Sequence, residues 1–226
     1  NAGQTCIAPD YVLLPKGSET QFVAAARAAG GTLNPLLTDN PDYTSKKDER
    51  NAHRLAGYLD DARANGASLA ELNPAGEDLS GCRKVAPTLV THVDDGMRIM
   101  QDEIFGPLLP IISYESLDEA IGYVNGHPRP LALYYFGYDG ASVERVLNET
   151  TAGGVTVNET LLHISQEHLP FGGVGPSGMG HYHGRFGFET LSKQKAVFFQ
   201  SRLNGLKLFW PPYGKRFEAL IRLLLR

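Results

Sequence analysis

The hydrophobic pattern of the chain alternates between short apolar runs and longer segments in which apolar residues recur every three or four positions. Short apolar runs between turn residues are typical of strands, and the longer spacing is typical of helices. The predicted strands cover residues 11–14, 67–72, 86–93, 108–114, 131–138 and 154–157. The predicted helices cover residues 22–29, 48–65, 116–124 and 141–147. Because parallel strands need crossover connections, this alternation predicts an α/β fold, a largely parallel sheet with flanking helices.

The pattern changes after Asn158. A Gly-rich stretch that contains several histidines runs to Gly187, and an apolar run at 195–200 (KAVFFQ) and a C-terminal helix follow. The apolar run predicts one further strand. We therefore divide the chain into a main domain, residues 1–191, and a C-terminal strand and tail, residues 192–226.

The composition argues against a nucleic-acid-binding, disulfide-rich or membrane-spanning protein. With 226 residues the chain can bury a core, and a net charge of −4 gives no basic surplus, so we expect no nucleic-acid partner. The two cysteines, Cys6 and Cys82, have neither a disulfide-framework nor a zinc-ligand spacing, which favours a reducing compartment. No apolar run reaches the roughly 18 residues that a membrane span needs. We expect a cytoplasmic protein that does not bind membranes.

Four segments carry residues that could do chemistry. The first is GQTCIAPDYVL, which contains Cys6, and the second is EIFGP, which contains Glu103 and Phe105. Asn158 directly follows the strand at 154–157, and Phe171 lies in the string PFGGVGPSG. Each segment alone has an ordinary structural explanation, because free cysteines more often pack than react and Phe-Gly-Pro and Asn are common in turns.

Two further motifs, a dinucleotide-binding pattern and a histidine pair, do not predict a binding site. Residues 173–178 satisfy the dinucleotide pattern G-x-G-x-x-G, but no apolar strand precedes them and Pro176 interrupts the place where a helix should begin. The pair His181 and His183 has no third ligand in a suitable position, so we predict no metal site.

Taken together and in this order, the four segments resemble those of aldehyde dehydrogenases. The resemblance covers nearly the whole chain, and it implies that Cys6 is the catalytic nucleophile. It also implies that Glu103 binds the nicotinamide ribose of NAD or NADP, that Phe105 flanks the nicotinamide ring, and that Phe171 and Asn158 belong to the substrate pocket. The continuation MGHYHG at 179–184 is similar to the class that oxidises fatty and aromatic aldehydes, coniferyl aldehyde dehydrogenases in particular.

The activity that the resemblance implies is oxidation of an aldehyde to a carboxylic acid. Cys6 adds to the aldehyde to give a thiohemiacetal, hydride passes to NAD(P), and water hydrolyses the resulting thioester. In the family the general base, a second oxyanion donor and the main cofactor-binding domain lie upstream of the cysteine. We therefore expect residues 1–191 to be a catalytic domain that turns over little aldehyde alone, and residues 192–226 to carry a strand for self-association into a homodimer or a larger oligomer.

Three alternatives stay open. The first is an acylating dehydrogenase that passes the thioester to coenzyme A, and the second is a non-catalytic assembly domain of the same fold. The third is a thiol hydrolase that pairs Cys6 with a histidine, for which the candidates are His163, His168, His181 and His183.

Overall fold

Two β-sheets form the framework of the chain, of which the computed structural model describes residues 1–46 and 48–225. The first sheet has the order β1-β4-β3-β2, and the second pairs β5 with β6. The β1–β4, β4–β3 and β5–β6 pairs are parallel, whereas β2 joins the edge of β3 antiparallel. The strands are β1 (Val12–Pro15), β2 (Ser68–Glu71), β3 (Thr88–Thr91), β4 (Leu108–Tyr114), β5 (Ala132–Tyr135) and β6 (Gly154–Val157). The predicted α/β class with a largely parallel sheet is confirmed.

The helices are α1 (Glu19–Leu33), α2 (Glu49–Ala64), α3 (Leu117–Gly126), α4 (Gly140–Glu149), α5 (Gly184–Thr190) and α6 (Lys215–Leu224). Helices α1 to α4 lie in the connections between strands, and α5 and α6 follow the last strand. At the start of α3 the Ser116 hydroxyl accepts a hydrogen bond from the Glu119 N–H (3.3 Å), and the Glu119 carboxylate accepts one from the N–H of Glu115 (2.7 Å). The capping residues therefore fix where this helix begins. The sequence pattern missed α5, a short helix in the Gly-rich stretch.

The main core lies between α2 and the first sheet. Leu55, Tyr58 and Ala62 recur at helical spacing on one face of α2, and all three are buried. They pack with residues of β3, β4 and the connection between these strands: Val90, Met97, Ile99, Ile104 and Leu108. Because Ile104 is only 1% exposed, the segment around it is anchored in the core.

Tertiary contacts divide the chain into two compact units, Asn1–Thr190 and Leu191–Arg226, and Arg226 lies outside the described residues. In the second unit, residues 193–200 have no regular secondary structure, so the strand predicted at 195–200 is wrong for the single chain. The physical reason is that a strand exists only when its backbone pairs with another strand, and this segment has no such partner in the described part of one chain. None of the described helices is long and apolar enough to cross a membrane.

Candidate active site

The loop that carries Cys6 is a tight backbone turn. The Ala8 N–H donates to the Thr5 carbonyl (2.9 Å), so that Cys6 and Ile7 occupy the centre of the turn. Cys6 is exposed whereas Ile7 is buried. The buried Ile7 side chain therefore anchors the turn, and the Cys6 thiol is accessible at its surface. Within the described residues the Cys6 Sγ has no hydrogen-bond partner, and so no described histidine is paired with it as the thiol-hydrolase alternative requires.

Two glycines bring the Cys6 loop against the EIFGP segment. Gly3 has a φ of +69°, and a Cβ added to it would lie 2.1 Å from the carbonyl oxygen of Gly106. A Cβ added to Gly106 would in turn lie 2.4 Å from a methyl carbon of Leu55. Only glycine allows backbones to approach so closely. This contact places the segment of the predicted nucleophile beside the segment of the predicted cofactor ligands.

Helix α2 holds the carbonyl groups of the EIFGP segment. The guanidinium of Arg54 donates to the carbonyl oxygens of Glu103 (3.0 Å) and Ile104 (2.5 Å), and Asn51 Nδ2 donates to that of Phe105 (3.4 Å). Phe105 has a φ of +46°, a conformation uncommon for a side chain of its size. The Glu103 side chain is exposed, and its carboxylate accepts no hydrogen bond from the described residues. Arg54 thus holds the backbone of Glu103, while the exposed carboxylate makes no hydrogen bond within the described residues.

Asp10 holds the same segment through a further hydrogen bond. Its Oδ1 accepts a hydrogen bond from the Ile104 N–H (3.0 Å). The pKa of the Asp10 carboxyl is raised to about 6, mainly because the group is buried, and the negative charge of Glu103 raises it further. The hydrogen bond from the Ile104 N–H and the positive charge of Arg54 both lower this pKa and so oppose the rise. Asp10 follows Cys6 by four positions, so it links the Cys6 loop directly to the backbone beside Glu103.

Phe171 lies in an aromatic cluster. It is 5% exposed, and it exchanges two backbone hydrogen bonds with Tyr182 (3.0 and 2.9 Å). The rings of His163 and His183 are both stacked on it, each with a centroid distance of 5.8 Å. His163 Nδ1 lies 2.8 Å from the Thr156 hydroxyl, and burial lowers the pKa of His163.

Tyr134 connects this cluster to the Cys6 loop. Its hydroxyl donates to the Ile7 carbonyl (2.6 Å), and its ring centroid lies 6.0 Å from that of His163. Burial raises the pKa of Tyr134, a backbone contact with Leu161 opposes this, and the negative charge of a Cys6 thiolate would add to it. Phe171 and Cys6 are therefore joined through two intervening rings and one hydrogen bond.

Asn158 closes the second sheet. It has a φ of +60°, its Oδ1 accepts from the Gly137 N–H (2.8 Å), and its Nδ2 donates to the Gly137 carbonyl (3.0 Å). Both ends of the amide are thus bound to the backbone beyond β5. A contact of this side chain with substrate stays a prediction.

The Gly-rich string at 172–178 forms a compact loop and does not open a helix. A Cβ added to Gly172 would lie 2.1 Å from the Gly180 carbonyl oxygen, and one added to Gly173 would lie 2.1 Å from that of Ser177. The next helix, α5, begins only at Gly184. These glycines therefore serve close backbone packing, in agreement with our rejection of the dinucleotide fingerprint. Among residues 1–46 and 48–225 no group of three or more His, Cys, Asp or Glu side chains is arranged to hold a metal ion.

Comparison with known proteins decides the family. Residues 1–197 match the aldehyde dehydrogenase family. The chain belongs to the aldehyde dehydrogenase family. This confirms the resemblance that the four segments indicated.

Several aldehyde dehydrogenases are similar to the chain over nearly all of its length. A probable coniferyl aldehyde dehydrogenase of Pseudomonas aeruginosa is 55% identical over 98% of the chain and 46% of the relative. A coniferyl aldehyde dehydrogenase of a Pseudomonas species is 51% identical over 100% of the chain and 47% of the relative. A substrate-bound structure of Staphylococcus aureus AldH superposes with a TM-score of 0.79 at 38% identity, covering 99% of the chain and 48% of that protein. The chain thus spans about half the length of these relatives.

Sequence reasoning missed three residues at this candidate site, Asp10, Arg54 and Tyr134. Their hydrogen bonds to Ile104 and Ile7 join positions 94, 50 and 127 residues apart. Periodicity reports only neighbours in sequence, so it contains no signal for these contacts. The placement of Asp10 shortly after Cys6, inside the recognised segment, was the one available hint.

Proposed function

We propose that this chain supplies the nucleophile and the nicotinamide-side residues for NAD(P)-dependent oxidation of an aldehyde to a carboxylic acid. The observation that carries the proposal is the contact between Gly3 and Gly106, which sets the Cys6 loop against the segment of Glu103 and Phe105. Nucleophile and hydride acceptor must be adjacent in such a reaction, because both act on the same carbonyl carbon. Family membership supports the same chemistry.

Cys6 is the group that forms a covalent bond with substrate. Its thiolate adds to the aldehyde carbon, and the carbonyl oxygen becomes an oxyanion that the backbone N–H groups of the turn can stabilise. After loss of hydride from that carbon, Cys6 carries a thioester. Attack by water on the thioester releases the carboxylic acid and regenerates the thiol.

The residues present fit a nicotinamide cofactor. The exposed Glu103 carboxylate only accepts hydrogen bonds, which suits ribose hydroxyls as donors, and half-buried Phe105 offers an aromatic face beside it. NAD or NADP would supply the acceptor for the hydride. A structure of a Staphylococcus aureus betaine aldehyde dehydrogenase in complex with NAD+ superposes on the chain with a TM-score of 0.73 at 28% identity, covering 84% of the chain and 38% of that protein.

For the substrate we propose an aromatic aldehyde of the coniferyl type. The two similar Pseudomonas proteins are named for coniferyl aldehyde. The cluster of Phe171, Tyr182 and the two stacked histidines supplies aromatic side chains next to Tyr134, whose ring centroid lies 6.0 Å from that of His163. Aromatic rings favour such surfaces through stacking and edge-to-face contacts.

The oligomeric and cellular setting belongs to the same proposal. We propose that residues 1–191 form the catalytic domain and that the segment at 195–200 pairs with a second copy of the chain. Three of its side chains are largely exposed in the single chain, Val197, Phe198 and Phe199. Two free thiols support a cytoplasmic location.

Two experiments test the function. The first measures NAD(P)H formation from coniferyl aldehyde by the chain alone and by the chain joined at its N-terminus to the preceding half of the Pseudomonas aeruginosa relative. We expect activity only from the joined protein, and Cys6→Ala should abolish it. Steady turnover by the chain alone would contradict our expectation that it turns over little aldehyde by itself, and inactivity of the joined protein would contradict the proposed function.

The second experiment labels the chain with iodoacetamide and maps the modified cysteine by mass spectrometry. Exposed Cys6 should react faster than half-buried Cys82, whose Sγ lies 3.5 Å from the Leu79 carbonyl. Equal labelling of the two cysteines would count against an accessible nucleophile.

A further inference from the structure

The backbone beside Glu103 is held by two charged side chains that belong to different parts of the sequence. Asp10, from the nucleophile segment, accepts from the Ile104 N–H, and Arg54, from α2, donates to the carbonyls of Glu103 and Ile104. The donor and the acceptor of one residue, Ile104, are therefore each bound by a charged group. Hydrogen bonds to charged groups are stronger than neutral ones.

Arg54 is itself fixed by its neighbours. Its guanidinium donates to Asn51 Oδ1 (2.6 Å) and to the Tyr58 hydroxyl (3.0 Å), and it lies 5.2 Å from the centre of the Tyr58 ring. The Tyr58 hydroxyl donates onward to Asp102 Oδ2 (3.0 Å). The planar fork of an arginine can bridge two carbonyls in this way, whereas the ammonium of a lysine is a point charge without that geometry.

The arrangement leaves the Glu103 side chain as the part of the segment that is directed to solvent. Ile104 is buried in the core, its backbone is clamped, and the exposed carboxylate is one residue away. A carboxylate that binds ribose must be held within a fraction of an ångström to act, and a rigid backbone is the means of holding it.

We propose that Asp10 and Arg54 are positioning residues that fix the Glu103 carboxylate relative to Cys6. The inference rests on the proposed function, because it assigns them a role in presenting Glu103 to the cofactor. Asp10 ties the segment to the nucleophile loop, and Arg54 ties it to α2. Neither residue touches the reacting atoms.

The test measures steady-state kinetics of the natural protein that carries this chain, with NAD+ and coniferyl aldehyde as substrates. Arg54→Lys keeps the charge but cannot bridge both carbonyls, and Asp10→Ala removes the acceptor for the Ile104 N–H. Each change should raise KM for NAD+ about tenfold, the effect expected for one lost charge-assisted hydrogen bond, and change kcat much less. Asp10→Asn retains an acceptor oxygen and should restore KM to within about threefold of the wild type.

Arg63→Lys is the matched control. Arg63 lies on the same helix, is exposed, and contacts only Asp60 (3.1 Å) in the described ion pairs, so its variant should leave KM unchanged. A second readout needs no activity: the amide resonance of Ile104 in the ¹⁵N-labelled chain should shift in Asp10→Ala and Arg54→Lys and stay in place in Arg63→Lys. Arg54→Lys and Asp10→Ala each remove a hydrogen bond to the same segment, so either variant keeps the test decisive if the other is too unstable for kinetics.

The outcomes separate the positioning role from the function itself. Raised KM in Arg54→Lys and Asp10→Ala, with recovery in Asp10→Asn, supports the proposal. If Glu103→Gln raises KM for NAD+ while Arg54→Lys and Asp10→Ala behave like Arg63→Lys, the positioning role is overturned and the proposed function stands. If Glu103→Gln leaves KM unchanged, or the wild type forms no NADH, the cofactor role of Glu103 fails and this proposal fails with it.

Discussion

Replacement of Gly3 by Ala tests the contact on which the candidate site depends. The new Cβ would lie 2.1 Å from the Gly106 carbonyl oxygen, about 1 Å inside the 3.0 Å limit below which such contacts essentially do not occur. The φ of +69° adds the cost of a left-handed conformation, about 1 kcal/mol for a residue with a side chain. Forcing the two loops apart adds about 1–3 kcal/mol. We expect Gly3→Ala to lower the free energy of unfolding by about 3 kcal/mol.

The assay is urea unfolding of the chain followed by circular dichroism, together with the rate of Cys6 alkylation by iodoacetamide. Gly17→Ala is the matched control, because Gly17 also has a positive φ (+85°) but has no atom within 4 Å of an added Cβ. The control isolates the conformational cost and should lose only about 1 kcal/mol, with unchanged Cys6 alkylation. Equal losses in the two variants would refute the close approach of Gly3 and Gly106.

Three further changes probe other parts of the site. Phe171→Ala should lower the free energy of unfolding by about 3–5 kcal/mol in urea titrations, because it empties a buried aromatic position. Phe188→Ala, at a side chain 73% exposed and outside the proposed self-association segment, is its control and should change that free energy by less than about 0.5 kcal/mol. Tyr134→Phe should lower the free energy of unfolding by about 1–2 kcal/mol in the same assay, because the Ile7 carbonyl in the Cys6 loop loses its hydrogen-bond donor. Tyr138→Phe, at a side chain 93% exposed, is the control, and equal losses in the two variants would contradict the hydrogen bond between Tyr134 and Ile7. The pKa of Asp10 rises from 3.8 to about 6 on folding, so between pH 3.8 and about 6 the folded chain binds more protons than the unfolded chain. The free energy of unfolding should therefore fall by about 3 kcal/mol as the pH rises through this range. Asp10→Asn should flatten this pH dependence, and an unchanged profile would show that another group causes it.

The fold was predictable where local signals were strong. The strand predicted at 108–114 coincides with β4, and the capping residues at 116–119 mark the start of α3. The predictions failed where pairing is not local. The apolar run at 195–200 has strand-like composition but no partner strand within the described chain, and α5 is short and contains glycines that weaken any helical pattern.

The sequence by itself determined the fold class and the family, and it predicted which residues are chemically active, because all three inferences depend on composition, periodicity and short motifs within single segments. Only the tertiary structure decided how the segments meet. It brought the Cys6 loop onto the Glu103 segment through Gly3 and Gly106, and it revealed Asp10 and Arg54 as the groups that hold that segment. The physical reason is that steric approach and hydrogen bonding act through space, between residues whose separation along the chain carries no pattern.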